Sequence, residues 1–266
     1  MPLLEKFGVA GELKSGLGHV GKDPTSVVFD RLNSATEGVV EGRKTILAGT
    51  NNYLGLTFDP DCIAAGVAAM QSWGTGTTGS RMANGRYAAH GALEAELADL
   101  YQCSSAMVFS TGYAANLGVL TALLGKGDAV LLDSDAHASL YDGCRMSEAD
   151  IYRFKHNDVK SLERRIARLG DRARCCLIIV EGVYSVLGDR APMKEIAEIK
   201  ERYRARLLVD EAHSLGVFGE RGCGVAEEQG VLDKVDFTVG TFSKSLGAIG
   251  FFVRANHCAN ANVLTQ

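Results

Sequence analysis

The sequence predicts a three-layer α/β domain built on a mostly parallel sheet. Two observations carry that expectation. Short apolar runs alternate with amphipathic stretches over most of the chain, and the residues able to do chemistry cluster just after the apolar runs. Strand–helix alternation implies parallel pairing with helices covering the sheet. Ligands on such sheets bind beyond the carboxyl ends of the strands.

The strand candidates are 106–109, 129–133, 151–154, 176–180, 206–209 and 237–241, each short and bounded by polar residues or glycine. Between them, 113–124, 159–169 and 193–203 read as helices, the last repeating apolar residues at Ile196, Ile199 and Tyr203. Upstream, Pro60 opens an alanine-rich helix over 61–73 that Gly74 stops. Residues 39–47 read as a hairpin, which with an arm makes an N-terminal region of residues 1–50. The large domain is expected over 51–250, followed by a divergent tail, 251–266.

Composition excludes several classes. Hydrophobic residues make up 46% and charged residues 23%, as in an ordinary globular protein. No apolar run reaches the roughly 18 residues of a membrane span, and the first residues lack a secretory pattern, so a cytoplasmic location is expected. A net charge of −4 argues against a nucleic-acid partner. The seven cysteines form no C-x-x-C pair and read as small buried hydrophobes, with no metal site expected. Gly74-Thr75-Gly76-Thr77-Thr78-Gly79 fits the dinucleotide fingerprint by letter. It follows a helix, however, and lacks the strand that the motif requires.

The strand ends carry the chemistry. Leu208-Val209-Asp210-Glu211-Ala212-His213 and Val239-Gly240-Thr241-Phe242-Ser243-Lys244 supply a carboxylate, an imidazole and a lysine flanked by hydroxyls. Pyridoxal 5'-phosphate needs such groups: a lysine for the Schiff base, a carboxylate opposite the ring nitrogen, and phosphate donors. Lys244 is the expected anchor, Asp210 the ring-nitrogen partner, and His213 a neighbour of the phenolic oxygen or the substrate. His137 is expected to stack on the ring and assist proton transfer. The turn Ser110-Thr111-Gly112-Tyr113 offers backbone N–H groups of Gly112 and Tyr113 to the phosphate, with Thr241 and Ser243 closing the cup.

These motifs, with Asn51-Asn52-Tyr53-Leu54-Gly55-Leu56, Gly79-Ser80-Arg81, His137-Ala138-Ser139 and Glu181-Gly182-Val183-Tyr184-Ser185, resemble the α-oxoamine synthases from about Phe29 to Gly250. Within that family the chain is most similar to the bacterial serine palmitoyltransferase branch. The resemblance implies the aspartate-aminotransferase fold (fold type I) and a PLP-dependent acyltransferase. The implied reaction is a decarboxylating condensation of L-serine with a long-chain acyl-CoA such as palmitoyl-CoA. Its product would be 3-ketodihydrosphingosine, the first step of sphingolipid synthesis.

It also implies Ser185 near the phenolic oxygen, Asn52 near the substrate, and a homodimer with the site at the subunit interface. Siblings of the 8-amino-7-oxononanoate synthase, 2-amino-3-ketobutyrate CoA ligase and 5-aminolevulinate synthase types remain alternatives, as does an inactive truncated or partner form. The likeness fades after Gly250, so the family's C-terminal domain is expected to be absent. Peripheral membrane contact stays open.

Overall fold

The structure, a computed structural model, describes residues 27–256, with Gly16 the one described position before them. The expected arm before residue 27 and the end of the expected tail, 257–266, lie outside the described residues. The chain divides into two units, Met1–Thr50 and Asn51–Gln266.

The first unit holds a three-stranded antiparallel sheet of β1 (Phe29–Leu32), β2 (Glu37–Val40) and β3 (Arg43–Ile46). The β2–β3 turn places Glu41 and Gly42 at φ of 50° and 74°. A tight hairpin turn needs positive φ at both central positions to match the twist of its strands. The hairpin expected over 39–47 is present, and β1 extends it.

The second unit is built on seven strands: β4 (Ser105–Phe109), β5 (Ala129–Asp133), β6 (Asp150–Phe154), β7 (Cys176–Glu181), β8 (Arg206–Asp210), β9 (Phe237–Thr241) and β10 (Phe251–Ala255). Their order is β4-β10-β9-β8-β7-β5-β6. The neighbours from β9 to β6 pair in parallel, while β10 runs antiparallel to both β4 and β9. The helices are α1 (Pro60–Trp73), α2 (Ala88–Tyr101), α3 (Gly112–Leu123), α4 (Ala138–Met146), α5 (Val159–Ala167), α6 (Met193–Tyr203) and the short α7 (Val225–Glu228).

Local chemistry sets the helix starts. The Asp59 carboxylate accepts from the N–H groups of Asp61 and Cys62 ahead of α1, and Gly74 ends that helix at φ 80°. Thr111 caps α3 through the Ala114 N–H, and Asp158 caps α5 through the Ser161 N–H. Each cap satisfies a donor that the first helical turn leaves without a partner.

Strand side chains alternate between faces, and the two faces carry separate cores. Ala129, Leu131, Ile178, Val180, Leu207 and Val209 pack with α5 and α6 through Leu162, Ile166, Met193 and Ile196. Val130, Leu132, Leu177, Ile179, Leu208 and Val239 pack with α3 and α4 through Val119, Leu120, Leu140 and Cys144. The expected three-layer α/β domain with a mostly parallel sheet is what forms.

One segment departs from the sequence reading. Residues 251–255, assigned to a divergent tail, form β10 inside the sheet. Phe-Phe-Val-Arg-Ala does not alternate, because a central strand is covered on both faces and all five residues are buried. Arg254 is 0% exposed. It donates to the carbonyls of Val235 and Leu232, and its guanidinium lies 5.4 Å from the Tyr101 ring centroid. The helices α2 and α4 were likewise not anticipated. Among the described residues no helix is long and apolar enough to cross a membrane.

Candidate active site

The carboxyl ends of β5, β7, β8 and β9 and the start of α3 converge on a cleft of about 200 Å³. Because β10 is antiparallel, its first residue, Phe251, reaches the same rim. Of the residues expected from sequence, Gly112, Tyr113, His137, Asp210, His213, Thr241, Ser243 and Lys244 all line this cleft. The side chains of Asn116, Ser139 and Glu181 line it too.

Asp210 ends β8 and is buried. Its Oδ1 accepts from the Ala212 N–H at 3.0 Å and its Oδ2 from Asn116 Nδ2 at 3.1 Å. Burial pushes its carboxyl up, while Asn116, the Ala212 amide, Lys244 and His137 work in the opposite direction. Neighbouring Glu211 turns away from the cleft. It accepts from the N–H groups of Val225 and Ala226 at the start of α7 and from the Ser214 hydroxyl, so its role is structural.

Lys244 follows β9 on a loop and is half-buried. Burial lowers the affinity of its amine for a proton, against the attraction of Asp210 and Glu181. Among the described residues it has no ion pair. A partly desolvated amine that spends more time uncharged is the form able to act as a nucleophile.

His137 precedes α4. Its backbone N–H donates to Glu181 Oε1 at 2.5 Å, and its Nδ1 accepts from the Ser139 N–H at 3.2 Å. An Nδ1 that accepts leaves Nε2 as the protonated nitrogen of the neutral ring. The Ser139 hydroxyl lies 2.7 Å from the same Nδ1 and accepts from Asn116 Nδ2 at 2.9 Å. One amide on α3 therefore ties Asp210 to the His137–Ser139 turn. No local pattern marks this role, since Asn116 sits mid-helix and its partners come from β8 and α4.

His213 lies with Nδ1 2.7 Å from the Tyr53 hydroxyl. Burial, then Lys244 and His137, bring its pKa down to about 4. Asn52 is not among the lining residues; its Nδ2 donates to Thr57 Oγ1 at 2.7 Å, and its Oδ1 is buried without a partner among the described residues. Ser185 is also outside the lining. It stands exposed on the turn after β7, which the Val183–Arg190 bridge and the Gly188 N–H to Tyr184 carbonyl bond close.

The phosphate end is defined by small residues. A Cβ on Gly112 would lie 2.5 Å from the Phe251 ring, so a larger residue there must displace that ring. Thr111 caps Ala114, which leaves the N–H groups of Gly112 and Tyr113 without acceptors among the described residues. The Thr241 and Ser243 hydroxyls lie 2.7 Å apart, and the Ser243 N–H donates to Thr241 Oγ1. The Tyr113 hydroxyl donates to Asp142 Oδ2 at 2.6 Å.

Comparison with known proteins agrees with this geometry. The family described as aminotransferase class I and II matches residues 43–266. Serine palmitoyltransferase of Caulobacter vibrioides (strain NA1000 / CB15N) is 56% identical over 257 residues, 97% of this chain and 64% of that protein. That of Sphingomonas paucimobilis is 50% identical over 256 residues, 96% of this chain and 61% of that protein. A solved structure of SPT with its PLP internal aldimine has a TM-score of 0.94 at 49% identity, covering 99% of this chain and 66% of that chain. The chain spans less than two thirds of the length of these two relatives.

The cleft residues fit pyridoxal 5'-phosphate. An amine, a buried carboxylate held by two donors, a flat imidazole, and a glycine-lined helix start with unused N–H groups meet in one cavity.

Proposed function

Because the chain belongs to the aminotransferase class I and II family, a family dependent on pyridoxal 5'-phosphate, we propose that it carries the cofactor-binding part of a serine palmitoyltransferase-type acyltransferase. Its substrates would be L-serine and a long-chain acyl-CoA, joined with loss of carbon dioxide and CoA to give 3-ketodihydrosphingosine for sphingolipid synthesis. The observation that carries the reading is the meeting of Lys244, Asp210 and His137 in one cleft, in a chain 56% identical to a serine palmitoyltransferase.

When bound, the cofactor supplies an electron sink for a carbanion at the substrate α-carbon. The residues of the chain would do the rest. Lys244 would hold the cofactor, and its partly desolvated amine is the group in the cleft that would move a proton at the substrate α-carbon. Asp210 would partner the ring nitrogen, and Asn116 and the Ala212 amide favour its charged form. His137, held at Nδ1 by Ser139, would pack against the cofactor ring.

The Gly112 and Tyr113 amides, with the Thr241 and Ser243 hydroxyls, hold the phosphate. His213 is assigned to the phenolic oxygen, and Ser185, on the exposed turn after β7, is kept as a proposed neighbour of the same oxygen. The orphaned Oδ1 of Asn52 is assigned to the substrate. A second copy of the chain is the proposed partner. In support, α1 exposes Ile63, Val67, Met70 and Trp73 at helical spacing. A cytoplasmic location belongs to the same proposal.

The test is borohydride reduction after incubation with the cofactor, followed by peptide mapping. A pyridoxyl group on Lys244 is expected, and a folded chain with Lys244 unmodified would sink the assignment. Serine should then change the cofactor's absorbance more than alanine or glycine does. Equal responses would favour a sibling synthase.

A further inference from the structure

Glu181 is a cleft carboxyl to which neither the motifs nor the proposed chemistry gives a task. It closes β7, and its Cα partner across the parallel ladder is Asp210 at the end of β8. Neighbouring parallel strands lie about 4.8 Å apart, and residues in register send their side chains to the same face. The two carboxyls are buried and line the same cleft. Two like charges on paired strand ends in a buried setting repel, and a proton on one of the pair relieves that repulsion.

The surrounding donors decide which. Asp210 accepts two hydrogen bonds, one on each oxygen. Glu181 accepts one, on Oε1 from the His137 backbone N–H. Its Oε2 has no hydrogen-bond partner among the described residues. Hydrogen bonds to the charged form favour that form, so the charge settles on Asp210 and the proton on Glu181 Oε2.

We propose that Glu181 is a positioning residue, the uncharged half of a carboxyl pair, which fixes the His137 backbone while leaving Asp210 the single anion under the cofactor. Ser139 holds the His137 ring through Nδ1, and Glu181 holds the backbone from which that ring projects. The charged groups around Glu181 are Asp210 from β8, Asp133 from β5 and Lys244 from the loop after β9, with His137 ahead of α4. Burial and then Asp210 push its carboxyl up to about 8, against the pull of the His137 amide and Lys244. The part concerning Asp210 rests on the cofactor reading above.

The experiment uses the chain with its glutamate carboxyls labelled with ¹³C and titrated by NMR without cofactor. One resonance, missing in E181Q, is expected to move with a midpoint at about 8. A midpoint in the ordinary carboxylate range would overturn the shared-proton pair. Binding of pyridoxal 5'-phosphate, followed by absorbance, tests the positioning role. E181L, which removes the acceptor, should bind about tenfold more weakly, about the worth of one such hydrogen bond.

E181Q restores an acceptor and should recover most of that loss. Unchanged affinity in E181L, or an equal loss in both variants, would overturn the role. Borohydride labelling of Lys244 in the unmodified chain is read separately. If it fails, the cofactor assignment falls, while the carboxyl titration still decides the pair.

Discussion

Asn116 and Asp210, 94 residues apart in the chain, are joined by a 3.1 Å hydrogen bond from Nδ2 to Oδ2. The other Nδ2 hydrogen reaches the Ser139 hydroxyl. The two groups proposed to hold the cofactor ring, Asp210 and the His137–Ser139 turn, therefore depend on one side chain of α3. Replacing Asn116 with alanine leaves Asp210 with one donor and loosens the His137 turn. A hydrogen bond to a charged group contributes about 1.5–3 kcal/mol. N116A is expected to weaken cofactor binding by about tenfold or more, measured by absorbance titration, with the far-UV circular dichroism unchanged.

The pH response of His213 has a definite sign. Its folded pKa of about 4 lies below the ordinary 6.5, chiefly because burial disfavours the imidazolium. The folded state therefore resists protonation, and stability present above pH 6.5 is lost as pH falls from there toward 4. NMR of the imidazole protons should show a midpoint at about 4, and H213Q should flatten this part of the stability curve. A midpoint of 6.5 would show that the ring is solvated.

Gly112 and Phe251 form a steric pair. A methyl group at Gly112 would stand 2.5 Å from the ring, and Phe251 is held in β10 between two strands. Overpacking of this kind costs about 1–3 kcal/mol. G112A should lose stability by that amount in urea unfolding, and F251L in the same chain should recover part of it. Two independent, additive losses would mean that the two residues do not press on one another.

Arg254 is buried with two backbone carbonyls and an aromatic face as its partners. Burial lowers the affinity of its guanidinium for a proton, and Tyr101 and other neighbours oppose this. R254A removes those bonds and leaves a cavity, so a loss of about 2–4 kcal/mol is expected. R254M keeps most of the volume and should lose less. Thermal unfolding of the two variants against the unmodified chain checks the order.

Much of the second unit was legible because its signals are local. The strands β5 and β9 match the apolar runs 129–133 and 237–241, and α6 follows the spacing of Ile196, Ile199 and Tyr203. Lys244 and Asp210 were readable because strand-end position in such a sheet fixes where a residue faces. What stayed hidden depends on distant partners. Arg254 made residues 251–255 look unlike a strand, because the carbonyls and ring that accept it come from Val235, Leu232 and Tyr101.

Asn116 looks like any polar residue on a helix until β8 and α4 are set beside it. Ser185 shows the reverse case: its motif is readable in the sequence, while the closing bonds of its turn leave the residue outside the cleft lining.

The place of β10 bears on how the chain is made. Strand β4 pairs with β10, Phe109 opposite Phe251, and β10 in turn pairs with β9. On a ribosome, β4 emerges early and must wait through the synthesis of five further helices and five strands before its neighbour exists. Until then β4 presents an open edge able to recruit a stray strand from another chain. A chain stopped before Phe251 should thus aggregate more readily than one that extends through Ala255.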